Sequence, residues 1–343
     1  MKILSFIIPA YNGESFLDTV IPSMLVPEIL DMLEIIVVND GSTDRTADVA
    51  QKYCDQYPGT VRLISQPNKG HGGALNTGCA AAQGKYLKII DADDWVETRN
   101  LPAFLHELQE TDSDVVLTHF HTVDIGTGEI RKWCSYPSVF NQTLSLDEIM
   151  SDWRSFYRCL TFHGITYNTA FYKAHGIRLS EHVFYEDYEY ATFPCCHART
   201  IQPLDLFVYN YRIGDVNQSV SAASKLKRIG HLETVLDRMI RETRLACGLS
   251  DSGKAYAVTK TQELLLSYFT TTLLTDPDRG NGRANARRMM QHFRKEMPET
   301  AAMAGRKYQV FCLLNRLHVS KAAWDSFLDS GLYNRLRKNH DFH

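Results

Sequence analysis

Four short apolar runs occupy the first ninety residues, and helical spacing separates them. The runs are Ile3–Pro9, Leu33–Asn39, Val61–Ser65 and Tyr86–Ile90. Between them lie Glu14–Leu25, with apolar residues at Phe16, Leu17, Val20, Ile21 and Met24, then Asp44–Tyr53 and Gly70–Ala82. Strands alternating with helices in this way predict a mostly parallel sheet with helices on both faces. Such sheets bind ligands beyond the carboxyl ends of their strands. Asp40, Asp91 and Asp93 stand in the turns at those ends. Leu101–Gln109 then reads as a helix and Val115–Thr118 as a fifth strand.

The middle of the chain is mixed. Gly126–Gly128 predicts a hairpin, Leu146–Trp153 a helix, Phe184–Phe193 a helix that begins with acids, and Leu206–Arg212 a strand. From Ser224 the pattern turns helical, over Ile229–Cys247, Lys254–Leu274, Ala284–Glu296, Tyr308–Leu317 and Ala322–Arg337. Charge changes sign at the same place. Residues 1–223 carry 16 Lys and Arg against 28 Asp and Glu, a net of −12, while residues 224–343 carry 21 against 12, a net of +9. This predicts two parts, 1–223 and 224–343, the second all-helical, with different partners.

Composition narrows the class. At 44% hydrophobic and 22% charged, 343 residues suffice for a core without staples. No apolar run approaches the ~18 residues of a membrane span. The N-terminus lacks the regions of a signal peptide, and none of the 8 Cys forms a C-x-x-C pair. The expectation is a cytoplasmic protein with reduced thiols, Cys195 and Cys196 being buried small hydrophobes. The sequons at Asn141 and Asn217 are then accidental.

The acids carry the first chemical signal. Asp91-Ala92-Asp93-Asp94 closes an apolar strand, and a solvent-facing set of three carboxylates repels itself unless a cation is held. Oxygen ligands of this kind suit Mg²⁺ or Mn²⁺ together with substrate phosphates. A helix N-terminus rich in acids is the plain alternative. Around this cluster, in order, stand Phe6-Ile-Ile-Pro-Ala-Tyr-Asn12, Val38-Asn-Asp-Gly-Ser-Thr-Asp44 and Asn68-Lys-Gly-His-Gly-Gly-Ala-Leu-Asn76, followed by Gly78 and Gly84. Together they resemble the family 2 glycosyltransferases, inverting nucleotide-sugar enzymes of the Rossmann-like GT-A fold. The likeness is dense over residues 3–96.

That resemblance implies a set of roles. Pro9, Ala10 and Tyr11 would line the nucleotide pocket, Asp40 would contact the uracil or ribose, and Asn68, Lys69 and Gly70 would border base and ribose. Asp91 and Ala92 belong to the family's D-x-D element beside ribose and sugar, and Asp93 would bind the divalent metal, Mn²⁺ or Mg²⁺, that bridges the diphosphate. Residues 1–118 would bind the nucleotide sugar and residues 119–223 would form the acceptor side. Tyr11 could equally be core, Lys69 a solvated surface charge, and Asp44 a helix cap.

Phe184-Tyr-Glu-Asp-Tyr-Glu-Tyr190 resembles the family's Glu-Asp element. It implies Asp187 as general base, with Glu186 orienting the acceptor or the base. An inverting transfer needs one carboxylate opposite the leaving group, as in inverting glycosidases with an alcohol in place of water. Tyr185, Tyr188 and Tyr190 read as packing, with sugar stacking also open to Tyr185. Tyr209–Ser221 resembles the strand and loop that close the catalytic domain, implying Arg212 and Ser219 near the diphosphate. His71 and His163 have two uses each, ligand contact or plain surface, and His119 and His121 share one face of a strand.

The processive synthases' Gln-x-x-Arg-Trp element and membrane helices are missing from the sequence, so the expected product is one sugar per binding event or distributive extension. Rival readings are a nucleotidyltransferase, whose Gly-rich basic first loop Pro9–Gly13 lacks, and a non-catalytic nucleotide-sugar sensor or subunit. The expected partners are a nucleotide sugar and a glycan, polyanionic or lipid-linked acceptor, and not nucleic acid. Arg283, Arg287, Arg288, Arg294 and Lys295 fall in one expected helix, either a solvated face or a surface for a phosphate-bearing acceptor or the inner membrane face. The helical part could also form a homo-oligomer.

Overall fold

The computed structural model describes residues 2–135, 140–214, 222–246 and 248–328. Met1–Val216 with Ala246–Ala257 form one compact unit, and Asn217–Leu245 with Val258–His343 a second. The sequence pattern puts its boundary near 223, where the charge sign turns. Packing instead changes hands after Val216, and residues 246–257 rejoin the first unit, where Leu249, Tyr256 and Ala257 are buried in its core. The sequence marks a break between two helices there, but nothing in it marks the return to the first unit.

The first unit begins with β1 (Leu4–Ala10), α1 (Glu14–Met24), a 3₁₀ turn at Pro27–Met32, β2 (Leu33–Asp40), α2 (Thr46–Gln56), β3 (Val61–Gln66), α3 (Gly70–Ala81), β4 (Tyr86–Ile89), β5 (Trp95–Val96), α4 (Leu101–Glu110), β6 (Val115–Asp124) and β7 (Ile130–Trp133). There follow α5 (Leu146–Ser151), α6 (Trp153–Phe156), β8 (Ile165–Asn168), α7 (Thr169–Ala174), α8 (Asp187–Thr192) and β9 (Ile201–Ile213). The sheet order is β3-β2-β1-β4-β8-β6-β9-β5, with β7 paired to β6. Its first four strands are parallel; β8 is antiparallel to both its neighbours, and β6 and β9 are again parallel. This is the α/β, GT-A architecture that the motifs imply, with helices against the sheet and a mixed second half.

The apolar runs are continuous because both faces of the sheet are covered. Every residue of β1 and β2 is buried. Phe6, Ile8, Ile35 and Val37 pack with residues of α1, α2 and α4, while Ile7, Ile36 and Val38 pack with residues of α3 and α8. Each such side chain withdrawn from water contributes ~2 kcal/mol.

Two strands differ from expectation in length, β6 running to Asp124 and β9 starting at Ile201, because pairing with each other extends both. β8 is missing from the sequence reading: Ile165-Thr-Tyr-Asn168 is too short to show a period. α2 begins two residues after Asp44, whose carboxylate accepts from the Thr46 N–H and hydroxyl; the N-cap position itself is Arg45, so Asp44 stands one residue before the cap. α8 begins at Asp187, not Phe184.

The second unit is helical throughout its described residues: α9 (Ala222–Lys227), α10 (Ile229–Leu245), the greater part of α11 (Asp251–Thr270), a π turn at Thr271–Thr275, α12 (Arg279–Glu296), α13 (Pro298–Arg316) and α14 (Lys321–Leu328). On α10 the buried Leu232, Val235, Leu236, Met239 and Ile240 repeat at helical spacing. α13 starts ten residues before the expected Tyr308, with Pro298 at its first turn, where a missing N–H costs nothing. Ser219 and residues 329–337 lie outside the described residues. No helix among the described residues is long and apolar enough to cross a membrane.

Candidate functional site

β1, β2 and β4 end side by side, and their carboxyl ends carry the expected residues. Pro9 and Ala10 are buried at the end of β1, while Tyr11, one residue on, is 56% exposed, so the core alternative for Tyr11 does not hold. Asp40 ends β2 and is 2% exposed. Its Oδ1 accepts from Gln66 Nε2 at 2.7 Å and from the Lys69 N–H at 2.9 Å. Its Oδ2 is buried and has no partner among the described residues. Asn68 Nδ2 donates to the Asp40 carbonyl at 3.0 Å. This close approach is why Gly41 follows Asp40: it sits at φ +73°, and a Cβ there would lie 2.7 Å from the Asn68 nitrogen.

The acid turn after β4 is held from β9. Asp94 is 1% exposed, and its carboxylate accepts from the Tyr209 hydroxyl and, at 2.7 Å, from the Arg212 N–H. The same Tyr209 oxygen accepts from the Asp91 N–H at 3.2 Å. Asp94 is therefore the structural acid of the turn, and Asp91 and Asp93 are left half-buried. One carboxylate oxygen from each of the three lies within 4.8 Å of the others. Burial and the Asp91 charge push Asp93 up to about 6, and burial with both neighbours raises Asp94 well above the usual range. The Arg212 charge opposes the rise at Asp93, which places that side chain in the site's field.

The Glu-Asp element reaches the same place from far along the chain. Tyr185, at φ +76°, turns the backbone sharply before Glu186 and Asp187 open α8. Burial, then the Glu186 charge, push Asp187 up to about 6, with the charges of His71 and Asp91 acting on it as well. Tyr190 is fully buried in the core, while Tyr185 and Tyr188 are half-buried. Cys195 and Cys196 are buried, as expected.

His71 joins the two acid sets. Its Nδ1 lies 2.5 Å from Glu186 Oε1 and its Nε2 2.9 Å from Asp91 Oδ1. Two carboxylates on two ring nitrogens require both to donate, hence an imidazolium. Burial alone would lower its pKa, but Asp91 and Glu186 together raise it well above the ordinary value. Glu186 is 3% exposed, and its second oxygen has no partner among the described residues. The glycines around His71 make the bridge possible. A Cβ on Gly72 would stand 2.1 Å from the Ser180 carbonyl oxygen and 3.1 Å from Glu186 Cγ, so only glycine lets segment 180–186 lie against α3.

An aromatic wall borders the acids. His163 lies 4.2 Å from the Tyr211 ring in a tilted contact and meets Tyr209 edge to face at 4.9 Å, and burial pushes its pKa down to about 4, so it is neutral. His119 and His121 do share one face of β6, but His119 bonds Asp205 and His121 bonds Asn210, and neither bonds an acid of the turn. A cavity of about 730 Å³ also lies along α3, walled by Lys69, Asn76, Tyr172, Lys173 and Glu181. None of the acids of the site lines it.

Sequence spacing named most of these residues but not Tyr209, whose hydroxyl is the pin of the turn, nor the bridging role of His71. The only signal for the latter was a histidine set among glycines, which fits surface loops equally well.

Sequence and fold are both similar to those of known proteins. The family model "Glycosyl transferase family 2" matches residues 5–173. Glycosyltransferase GlyG of Streptococcus pneumoniae is 30% identical over 45% of this chain and 52% of its own length. The uncharacterized glycosyltransferase EpsJ of Bacillus subtilis is 36% identical over 35% of each chain. The chain thus spans about half or less of the curated relatives it matches. Among solved structures, residues 1–349 of S. aureus TarS in complex with UDP-GlcNAc superpose with a TM-score of 0.64 at 20% identity, covering 92% of this chain and 89% of that one. Residues 5–173 thus match the glycosyltransferase family 2 domain, and the mixed sheet with its helices is a GT-A-like fold.

Proposed function

We propose that the chain moves a sugar from a nucleotide sugar, a UDP-sugar by preference, to an acceptor hydroxyl with inversion at the anomeric carbon. One observation carries this reading: the donor-side acid Asp91 and the acceptor-side acid Glu186, distant in sequence, meet on a single imidazole.

The unpartnered buried Oδ2 of Asp40 is an acceptor waiting for an N–H, which a uracil ring offers. Asn68 and Lys69 bond Asp40 directly, and Pro9, Ala10 and Tyr11 from the end of β1, with Gly70, would complete the nucleotide pocket. Asp93, raised to about 6 beside Asp91, fits a divalent cation, Mn²⁺ or Mg²⁺, because close carboxylates in a half-buried turn favour a positive charge between them. Bound there, the ion would neutralise the diphosphate leaving group. Arg212 adds charge from β9, and Ser219 extends the same proposal into the following segment.

Asp187 takes the proton from the acceptor hydroxyl. At about 6 its pKa leaves it ionised about ten to one at pH 7 yet basic enough to accept a proton. Glu186 is held by His71 and orients the acceptor or the base. The UDP-GlcNAc complex of TarS supports the choice of uridine donors. The same reading extends to a cytoplasmic role in building bacterial surface glycan, with a glycan, polyanionic or lipid-linked acceptor.

The test is a donor screen with Mn²⁺, reading nucleoside diphosphate release and UDP binding by calorimetry. Release with at least one nucleotide sugar is expected; no release and no UDP binding would refute the proposal. Asp187→Asn should lower transfer by about 10²–10⁴-fold with UDP binding within a few fold, while Asp93→Ala should lose metal-dependent donor affinity. A nucleotide-sugar sensor would bind UDP and release nothing.

A further inference from the structure

Of the five basic residues that the sequence sets on one helix, the structure pairs two with acids. Arg288 donates to Glu233 at 2.8 Å and Lys295 lies 3.3 Å from Glu296. The remaining charge is gathered differently. Arg283 and Arg287 of α12 and Arg316 of α13 line one cavity of about 330 Å³, with Tyr308 and Leu313 in its wall and no carboxylate among its lining residues. Arg287 and Arg316 are exposed, and neither has an acid within ion-pair reach among the described residues. Arg283 is locked in place: its Nη1 donates at 2.6 Å to Asn315 Oδ1, and Asn315, fully buried, donates at 2.7 Å to the Leu273 carbonyl.

Beside the arginines, α13 exposes apolar residues. Val310 is 45%, Leu313 57% and Leu317 64% exposed, and their spacing of three and four puts them on one face. Arg316 lies next to Leu317, and Leu313 belongs to both sets.

We propose that this face of the helical unit docks on an anionic bilayer surface, phosphate headgroups entering the arginine cavity and Val310, Leu313 and Leu317 entering the headgroup–acyl boundary. The pairing of charge with apolar side chains selects this occupant. A soluble polyanion has no use for exposed leucines. A second copy of the chain would set the three guanidinium groups against their own images in a two-fold contact. A bilayer takes both features at once. The inference concerns the second unit and stands apart from the transfer chemistry proposed above.

The test is co-sedimentation of the full chain with vesicles of equal parts phosphatidylglycerol and phosphatidylcholine, against phosphatidylcholine alone. Binding to the anionic vesicles only, weakening with salt, is expected. Each arginine near such a surface contributes about fivefold in partitioning, so Arg287→Ala with Arg316→Ala should lower it about 25-fold. Leu313→Ser with Leu317→Ser should weaken it too, and Arg99→Ala, an exposed change in the other unit, should not. Circular dichroism of each variant confirms folding; these side chains are exposed, so truncation leaves the core intact. Absence of vesicle binding at low salt, or unchanged binding in both double variants, overturns the proposal. So does displacement by inorganic phosphate at constant ionic strength, which assigns the cavity to a free anion. A dimer seen by light scattering and lost with Leu313→Ser assigns the face to a second copy and overturns it as well.

Discussion

Replacing His71 with leucine, close in volume but unable to donate, tests the bridge directly. Two hydrogen bonds to carboxylates are lost, at 2.5 and 2.9 Å. Asp91 is 28% exposed at its side chain and can turn to water, so its share is small, ~1 kcal/mol or less. Glu186, at 4%, cannot. Left charged and unpaired it would cost ~3–5 kcal/mol. A pKa raised on folding gives stability that is full below the unfolded value, ~6.5, and is lost as pH rises through the folded one. The destabilisation should then be full below about pH 6.5 and shrink as pH rises through the folded pKa of His71. Three of the four tryptophans, Trp95, Trp133 and Trp153, lie in the first unit, so urea unfolding followed by tryptophan fluorescence reports mainly on it. The expected loss is ~3–5 kcal/mol at pH 6 and smaller at pH 10. Equal losses at the two pH values, or less than ~1 kcal/mol at pH 6, would show that the imidazole does not hold Glu186 as an ion pair.

Other outcomes follow from the same geometry. Because Asp187 must be ionised to act as base, kcat/KM should fall tenfold per unit as pH drops below about 6; a flat profile from pH 7 to 5 removes Asp187 from that role. Tyr209→Phe strips one of two donors from buried Asp94 and should cost ~1.5–3 kcal/mol in the same urea curves while weakening Mn²⁺-dependent UDP binding; unchanged metal dependence would detach the pin from the acid turn. Gly72→Ala forces segment 180–186 off α3, costing ~1–3 kcal/mol, and should lower kcat more than donor affinity, since it is Glu186 that moves; wild-type turnover would refute the close approach.

What could be read from the sequence divides along physical lines. The parallel strands were legible because residues such as Phe6, Ile7 and Ile8 are buried on both faces and leave continuous apolar runs. Asp40, Asp91, Asp93 and Asp187 were legible because acids stand at the ends of such runs or open a helix. Tyr209 was not: a tyrosine in a strand has the same local pattern whether its hydroxyl meets water or Asp94. The His71 bridge was not, since it depends on Glu186, 115 residues away. The arginine stripe was half legible. Helical spacing gathered Arg283 and Arg287, but Arg316 joins them from the next helix, and pairing with Glu233 withdraws Arg288.

The pinning of the acid turn has a consequence for how the protein comes into being. Asp91 and Asp94 are made early in synthesis, yet the groups that fix them, the Tyr209 hydroxyl and the Arg212 amide, arrive some 118 residues later. Until β9 has left the ribosome and paired with β6 and β5, the turn has acids but no geometry, and a nascent chain ending near residue 173 would expose its carboxylates to any cation without the means to select one. On the proposed function, metal and nucleotide capture would become available only when this last strand of the sheet is in place.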